Sequence, residues 1–317
     1  MQPKYYAMQQ ITNTILMIRP VAFRMNEQTA INNYFQEEIE LKNAEVNEKA
    51  QQEFDAFVEK LRAVGVNVIV EDDKKELDTP DSIFPNNWVS FHENGDMALY
   101  PLFAENRRKE RRGDVIERIE KEGFEIKNVI DYTEAENEGV YLESTGSLIL
   151  DRVNQKAYCA LSPRADEQLL IEFCEDFEFT PVIFTANQTV DGKRVPIYHT
   201  NVMMCLGENF SVICLDTIDD AKEKKNVVKH LKDDGKEIIA ISEAQMHDFA
   251  GNMLQVRGAD DKKFLVMSAA AHKSLTQEQI SAIKKHCEIL SADLTTIETC
   301  GGGSARCMMA EIFLPKK

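Results

Sequence analysis

Among the seven cysteines of this 317-residue chain, Cys307 stands out because three glycines precede it in Thr299-Cys300-Gly301-Gly302-Gly303-Ser304-Ala305-Arg306-Cys307. Glycines let backbone amides approach a small ligand closely, and such a loop can hold a thiolate at its edge, favoured by those dipoles and by Arg306. The bland alternative is a flexible turn before a buried structural cysteine. In Tyr198-His199-Thr200-Asn201-Val202, strand alternation would put His199 and Asn201 on one side. An imidazole there can act as general acid and base beside an amide that both donates and accepts, although a hydrogen-bonded core histidine fits the same pattern. Glu143 approaches a glycine turn in Leu142-Glu143-Ser144-Thr145-Gly146. Buried, its carboxylate needs a partner: a histidine, a substrate nitrogen or a backbone amide. Asp81, Asn86 and Asn87 gather just before Trp88, the single tryptophan, in a stretch that also reads as an ordinary turn.

Five segments with helical apolar spacing must position these groups: Glu45 to Val64, Arg107 to Glu122, Ala165 to Asp176, Ile218 to Lys232 and Thr276 to His286. After the first four come strand-like runs at Val66 to Val70, Phe124 to Ile130, Thr180 to Phe184 and Glu237 to Ile241. Shorter β-type runs lie between the helices, at Met97 to Leu102, Ser147 to Asp151, Lys156 to Leu161, Phe210 to Leu215 and Lys263 to Met267. The repeating unit is strand, strand, helix, strand, at a spacing of roughly fifty to sixty residues that points to radial or solenoid repetition rather than one open sheet. No Pro/Gly/Ser-rich linker interrupts it, so residues 1–317 read as a single domain.

Composition narrows the function. Acidic residues outnumber basic ones 54 to 37, a formal charge of −17 that disfavours nucleic acid and anionic membrane surfaces as partners. The basic run Arg107, Arg108, Lys109, Arg111, Arg112 is the local exception and reads most simply as a solvated helix face. No run is apolar enough to span a bilayer and no signal-peptide pattern opens the chain, so a cytoplasmic location is expected. The odd number of scattered cysteines, with no C-x-x-C pair, argues for reduced thiols and against a zinc site.

Taken in order, Asp81…Asn86-Asn87, Arg107-Arg108-Lys109-Glu110, Glu143-x-x-Gly146, Leu161-Ser162-x-Arg164, His199-x-Asn201 and the Gly-rich run ending at Cys307 resemble the guanidine-modifying, or pentein, superfamily. The resemblance implies an α/β fold, a five-bladed pseudo-symmetric propeller of ββαβ modules around one catalytic centre. It further implies Cys307 as nucleophile, His199 as proton shuttle and Glu143 as the carboxylate beside it. Arg108 and Arg164 match arginines that hold a substrate α-carboxylate, the first being ambiguous with Arg107. Ile18-Arg19-Pro20, Phe84-Pro85-Asn86-Asn87-Trp88 and His199-Thr200-Asn201 look most like the citrulline-utilisation hydrolases, or citrulline ureidases. Asparagines stand at 86, 87 and 201 where arginine-type relatives carry acids, and amides suit a neutral ureido group better than a cation. The expectation is therefore hydrolysis of citrulline to ornithine, ammonia and carbon dioxide, without metal or organic cofactor. The alternatives are an arginine deiminase or dimethylarginine hydrolase, or a catalytically silent ligand-binding propeller. The partner in each case is a small amino-acid ligand, and homo-oligomerisation is compatible with all three.

Overall fold

Helix Asn43–Ala63 buries Val46, Ala50, Phe54, Phe57, Val58 and Leu61, the stripe that its apolar spacing dictates, and ends where Gly65 takes a positive φ of 87°. The chain then enters strand Asn67–Asp72, which pairs in parallel with strand Thr14–Arg19. This computed structural model describes residues 8–37 and 40–317.

Four more modules repeat the pattern of an antiparallel pair, a crossover helix and a parallel third strand. Strands Val89–Phe91, Asp96–Leu99 and Asn128–Asp131 carry helix Gly113–Lys121. Strands Ile149–Asp151, Lys156–Leu161 and Thr180–Thr185 carry Glu167–Asp176. Met204–Leu206, Phe210–Ile213 and Glu237–Ala240 carry Ala221–Asp233. Leu254–Arg257, Lys263–Ser268 and Glu288–Ala292 carry Gln277–Lys284. In the first module the antiparallel partner comes from far along the chain: Ala310–Glu311 pairs with Ile15 and Leu16. The described residues thus form a mixed α/β fold of five three-stranded sheets plus a hairpin, Asn187–Val190 with Lys193–Pro196, and none of the sheets is closed.

Three expectations need correction. The helix expected from Arg107 to Glu122 is two pieces, a 3-10 turn over Glu105–Glu110 and an α-helix that starts only at Gly113. The break follows from Arg107 and Glu110 turning inward, both buried, to form a bidentate pair at 2.8 and 2.9 Å. The strand expected across His199 to Val202 is instead a short helical turn, Thr200–Met203, with His199 extended just before it. The strand expected from Phe124 shrinks to Asn128–Asp131, since Phe124 bridges to Lys316 instead.

Candidate active site

Two sharp turns face each other here. After Leu142 the chain makes a helical turn, Ser144–Ser147, whose start at Ser144 has a positive φ of 42°. Gly146 permits it to press against its neighbours, because a Cβ there would lie 2.4 Å from Asn87 Nδ2 and 2.9 Å from the His199 ring. Glu143, at the start of this turn, is completely buried. Its Oε1 accepts the Phe103 backbone N–H at 2.9 Å, and its Oε2 meets His199 Nε2 at 2.6 Å. Arg164 and Arg107 stand 3.6 and 4.0 Å from the same oxygen.

These neighbours fix the protonation of the pair. Burial opposes the Glu143 charge, yet Arg164, His199 and Arg107 together hold its carboxyl down at about 2. Burial lowers the His199 imidazole to about 4, against the pull of Glu143. At neutral pH the carboxylate is therefore ionised and the imidazole neutral, with its proton on Nε2 facing Glu143. Nδ1 is left for proton traffic.

Cys307 opens onto the same cavity as His199, which Asp81, Asn87, Arg107, Arg164 and Tyr198 also line. Its sulfur receives two amide donors, Asn201 Nδ2 at 3.4 Å and Asn252 Nδ2 at 3.2 Å. Asn252 is oriented by its other ends: Nδ2 also reaches the Asn201 carbonyl at 3.0 Å, and Oδ1 accepts the Arg306 backbone N–H at 3.0 Å. A pair of N–H donors on sulfur suits a thiolate. Arg306 itself does not serve the thiol as expected, because its guanidinium turns away to Glu311 and the Met309 carbonyl.

Asp81 is buried with Oδ2 held by Asn26 at 2.8 Å and Thr29 at 3.2 Å, while Oδ1 has no partner among the described residues. Burial raises its carboxyl above the ordinary range, with Arg107 opposing. Arg164 is bound by the Asn32 side chain and the Thr29 carbonyl and lies 4.9 Å over the Tyr198 ring. Of the expected residues, Glu143 and Asn201 stand behind the cavity lining, in contact with His199 and Cys307, and two others, Arg108 and Asn86, fall outside it. Arg108 is partly exposed and pairs with Glu136 at 3.2 Å; it is Arg107 that points inward, donating to Asn87 Oδ1 at 2.8 Å. Asn86 is buried, its backbone carbonyl taken by Thr145 and its amide outside the cavity lining.

Asn252 escaped the sequence reading because a single asparagine after Gly251 looks like any turn. The signal is Gly251, where a Cβ would lie 2.3 Å from the Val202 carbonyl: only glycine lets this turn lie directly against the turn that carries Asn201. The cavity is tight, with about 10 Å³ of free room, no more than one water occupies.

A buried Cys–His–Glu set with paired arginines on small α/β sheets fits the pentein superfamily, and the chain is a member of it. The family model for N,N dimethylarginine dimethylhydrolase, eukaryotic, matches residues 19–314, and the chain belongs to that family. No curated protein matches it in sequence. Among solved structures it resembles ArgZ, an arginine dihydrolase from the ornithine–ammonia cycle in cyanobacteria, at TM-score 0.73 and 16% identity, covering 96% of this chain and 41% of ArgZ. AgrE in complex with ornithine and NAD+ gives TM-score 0.73 and 17% identity, covering 96% of this chain and 40% of AgrE. The chain thus spans about two fifths of the length of both proteins. A dimethylarginine dimethylaminohydrolase, as its adduct with S-methyl-L-thiocitrulline, gives 0.63 and 14%, covering 95% of this chain and 100% of that one.

Proposed function

We propose that the protein hydrolyses the guanidino group of a free arginine-type amino acid, with Cys307 as nucleophile. What carries this reading is Asp81, an acid on the cavity wall whose Oδ1 has no partner among the described residues and can accept the N–H groups of a guanidinium. The ureido oxygen of citrulline would be repelled at the same place. The amide argument for a ureido substrate also weakens, since the N–H groups of Asn201 are directed to sulfur and Asn87 Oδ1 accepts from Arg107. Citrulline hydrolysis remains the second reading, supported by Asn87 Nδ2, which has no partner among the described residues and is a donor able to take a ureido oxygen.

In the proposed reaction Cys307 passes its thiol proton to His199 Nδ1 as sulfur adds to the guanidinium carbon, and a C–N bond breaks as His199 hands that proton to the departing nitrogen. A water, deprotonated at His199, then displaces sulfur and leaves the ureido product. Arg164 is the first candidate for the substrate α-carboxylate, and Asp81 Oδ1 for a substrate N–H. The five sheets are proposed to stand as the blades of one propeller domain around this centre. Purified protein is to be incubated with L-arginine, Nω,Nω-dimethylarginine and L-citrulline, with amino-acid products and released amines quantified. Thiol-dependent turnover of a guanidino substrate is expected; turnover of citrulline alone would overturn the proposal.

A further inference from the structure

Among the described residues no carboxylate stands within ion-pair distance of Arg152. The arginine is 6% exposed, and among the described residues its only hydrogen bond is made by its backbone N–H, to Gln10. The guanidinium carbon stands over the Phe313 ring, 4.0 Å from its centroid. The other buried arginines all pair with carboxylates: Arg107 with Glu110, Arg112 with Asp114, Arg164 with Glu143 and Arg306 with Glu311. That last pair, at 2.8 Å, takes the acid that would otherwise neutralise Arg152. Glu93, the other acid within its influence, accepts the Gln9 backbone N–H at 2.7 Å. A guanidinium left unpaired at a cavity wall is free to take a ligand, and its planar fork matches a carboxylate.

Arg152 lines a cavity of about 320 Å³, a size that suits a small ligand. Its lining is sorted by chemistry. Arg152 and Gln155 offer donors, Phe177 and Phe179 an apolar wall, and Glu93, Asp176 and Glu178 negative charge. The wall is preformed: His92 stacks on Phe177 at 4.0 Å, with Nε2 fixed by Ser90 Oγ at 2.8 Å. No residue is shared with the lining of the Cys307 cavity.

We propose that this cavity is a second ligand site, taking an amino acid with an apolar side chain: its α-carboxylate on Arg152, its ammonium toward Glu93 and Asp176, its side chain on Phe177 and Phe179. The site does not depend on the chemistry assigned to Cys307. It has a short route to that centre, since Arg152 directly follows strand Ile149–Asp151 and Glu143 begins the turn that leads into it.

The test is calorimetric titration of the full chain with L-leucine, which has no guanidino or ureido group, alongside inorganic phosphate and isovalerate. One L-leucine per chain is expected, weakened at least about tenfold in Arg152→Gln and unchanged in Cys307→Ala. Equal affinity in Arg152→Gln, or binding of phosphate or isovalerate as tight as that of L-leucine, would overturn the amino-acid assignment, as would no binding at all. If Arg152→Gln does not fold, wild-type crystals soaked in L-leucine decide: density bridging Arg152 and Glu93 supports the site, and an empty cavity removes it.

Discussion

At the scale of single residues, the reactive sulfur is governed by what donates to it. Asn252 holds Cys307 from one side and the Asn201 backbone from the other, so Asn252→Ala removes one of two N–H donors and loosens the second. The alkylation rate of Cys307 by iodoacetamide at pH 7 is expected to fall by roughly tenfold, a loss of about 1.4 kcal/mol of thiolate stabilisation. Asn252→Asp should be slower still, because a carboxylate would oppose the anion. The His199–Glu143 pair makes a separate pH prediction. The folded imidazole, at about 4, lies below its unfolded value near 6.5, so between those limits the unfolded chain binds the extra proton. Stability is then complete above pH 6.5 and declines as pH falls toward 4. Below 4.5, protonation of unfolded carboxylates that match Glu143 adds to the decline. Melting temperatures measured from pH 7.5 to 4.5 in wild type and His199→Asn check this, and equal slopes in both would contradict it.

Elements explain which parts of the sequence were readable. Helices Glu167–Asp176, Ala221–Asp233 and Gln277–Lys284 begin within about three residues of the positions that apolar spacing indicates, and each has a side-chain cap: Asp166, Asp220 and Thr276. Asp220→Ala is expected to cost about 1 kcal/mol in urea unfolding with turnover unchanged. What could not be read is where a local pattern gives way to a distant partner. Arg107 has the sequence surroundings of a solvated helix, and it is Asn87, Glu110, Asp81 and the Phe84 carbonyl that draw it inward. His199 and Asn201 alternate like strand residues, yet Thr200 Oγ1 bonds the Ser147 carbonyl at 2.6 Å and accepts the Ala160 N–H at 2.8 Å, favouring the turn. The candidate nucleophile, imidazole and carboxylate were legible because a reactive group in a Gly-rich or polar run carries its own local signal. Asn252 was not, since its neighbour Gly251 has meaning only against Val202. Gly251→Ala pushes a methyl into that backbone carbonyl and is expected to destabilise by roughly 2–3 kcal/mol while slowing Cys307 alkylation. Alkylation at the wild-type rate in a folded variant would show that the two turns are not coupled.

Across the whole molecule, five modules share one plan, but the first is assembled from both ends of the described chain. Thr12 Oγ1 donates to the Ile312 carbonyl, 300 residues away, and Ile15 and Leu16 pair with Glu311 and Ala310. Removing residues 310–317 is expected to lower the melting temperature by several degrees and to abolish turnover although Cys307 is retained, because the turn that carries the thiol loses its anchor. Full activity in the truncated chain would sink that expectation.

The same pairing has a consequence for synthesis. Strand Thr14–Arg19 leaves the ribosome well before its partner, and its outer edge stays unsatisfied until residues near 310 emerge. At about 5–20 residues per second this interval of 300 residues lasts roughly 15–60 s. For that time an almost wholly buried, apolar strand offers open backbone groups to any neighbouring polypeptide. Yield in cells should therefore depend on holding chaperones and on translation speed more steeply than the stability of the finished protein would imply.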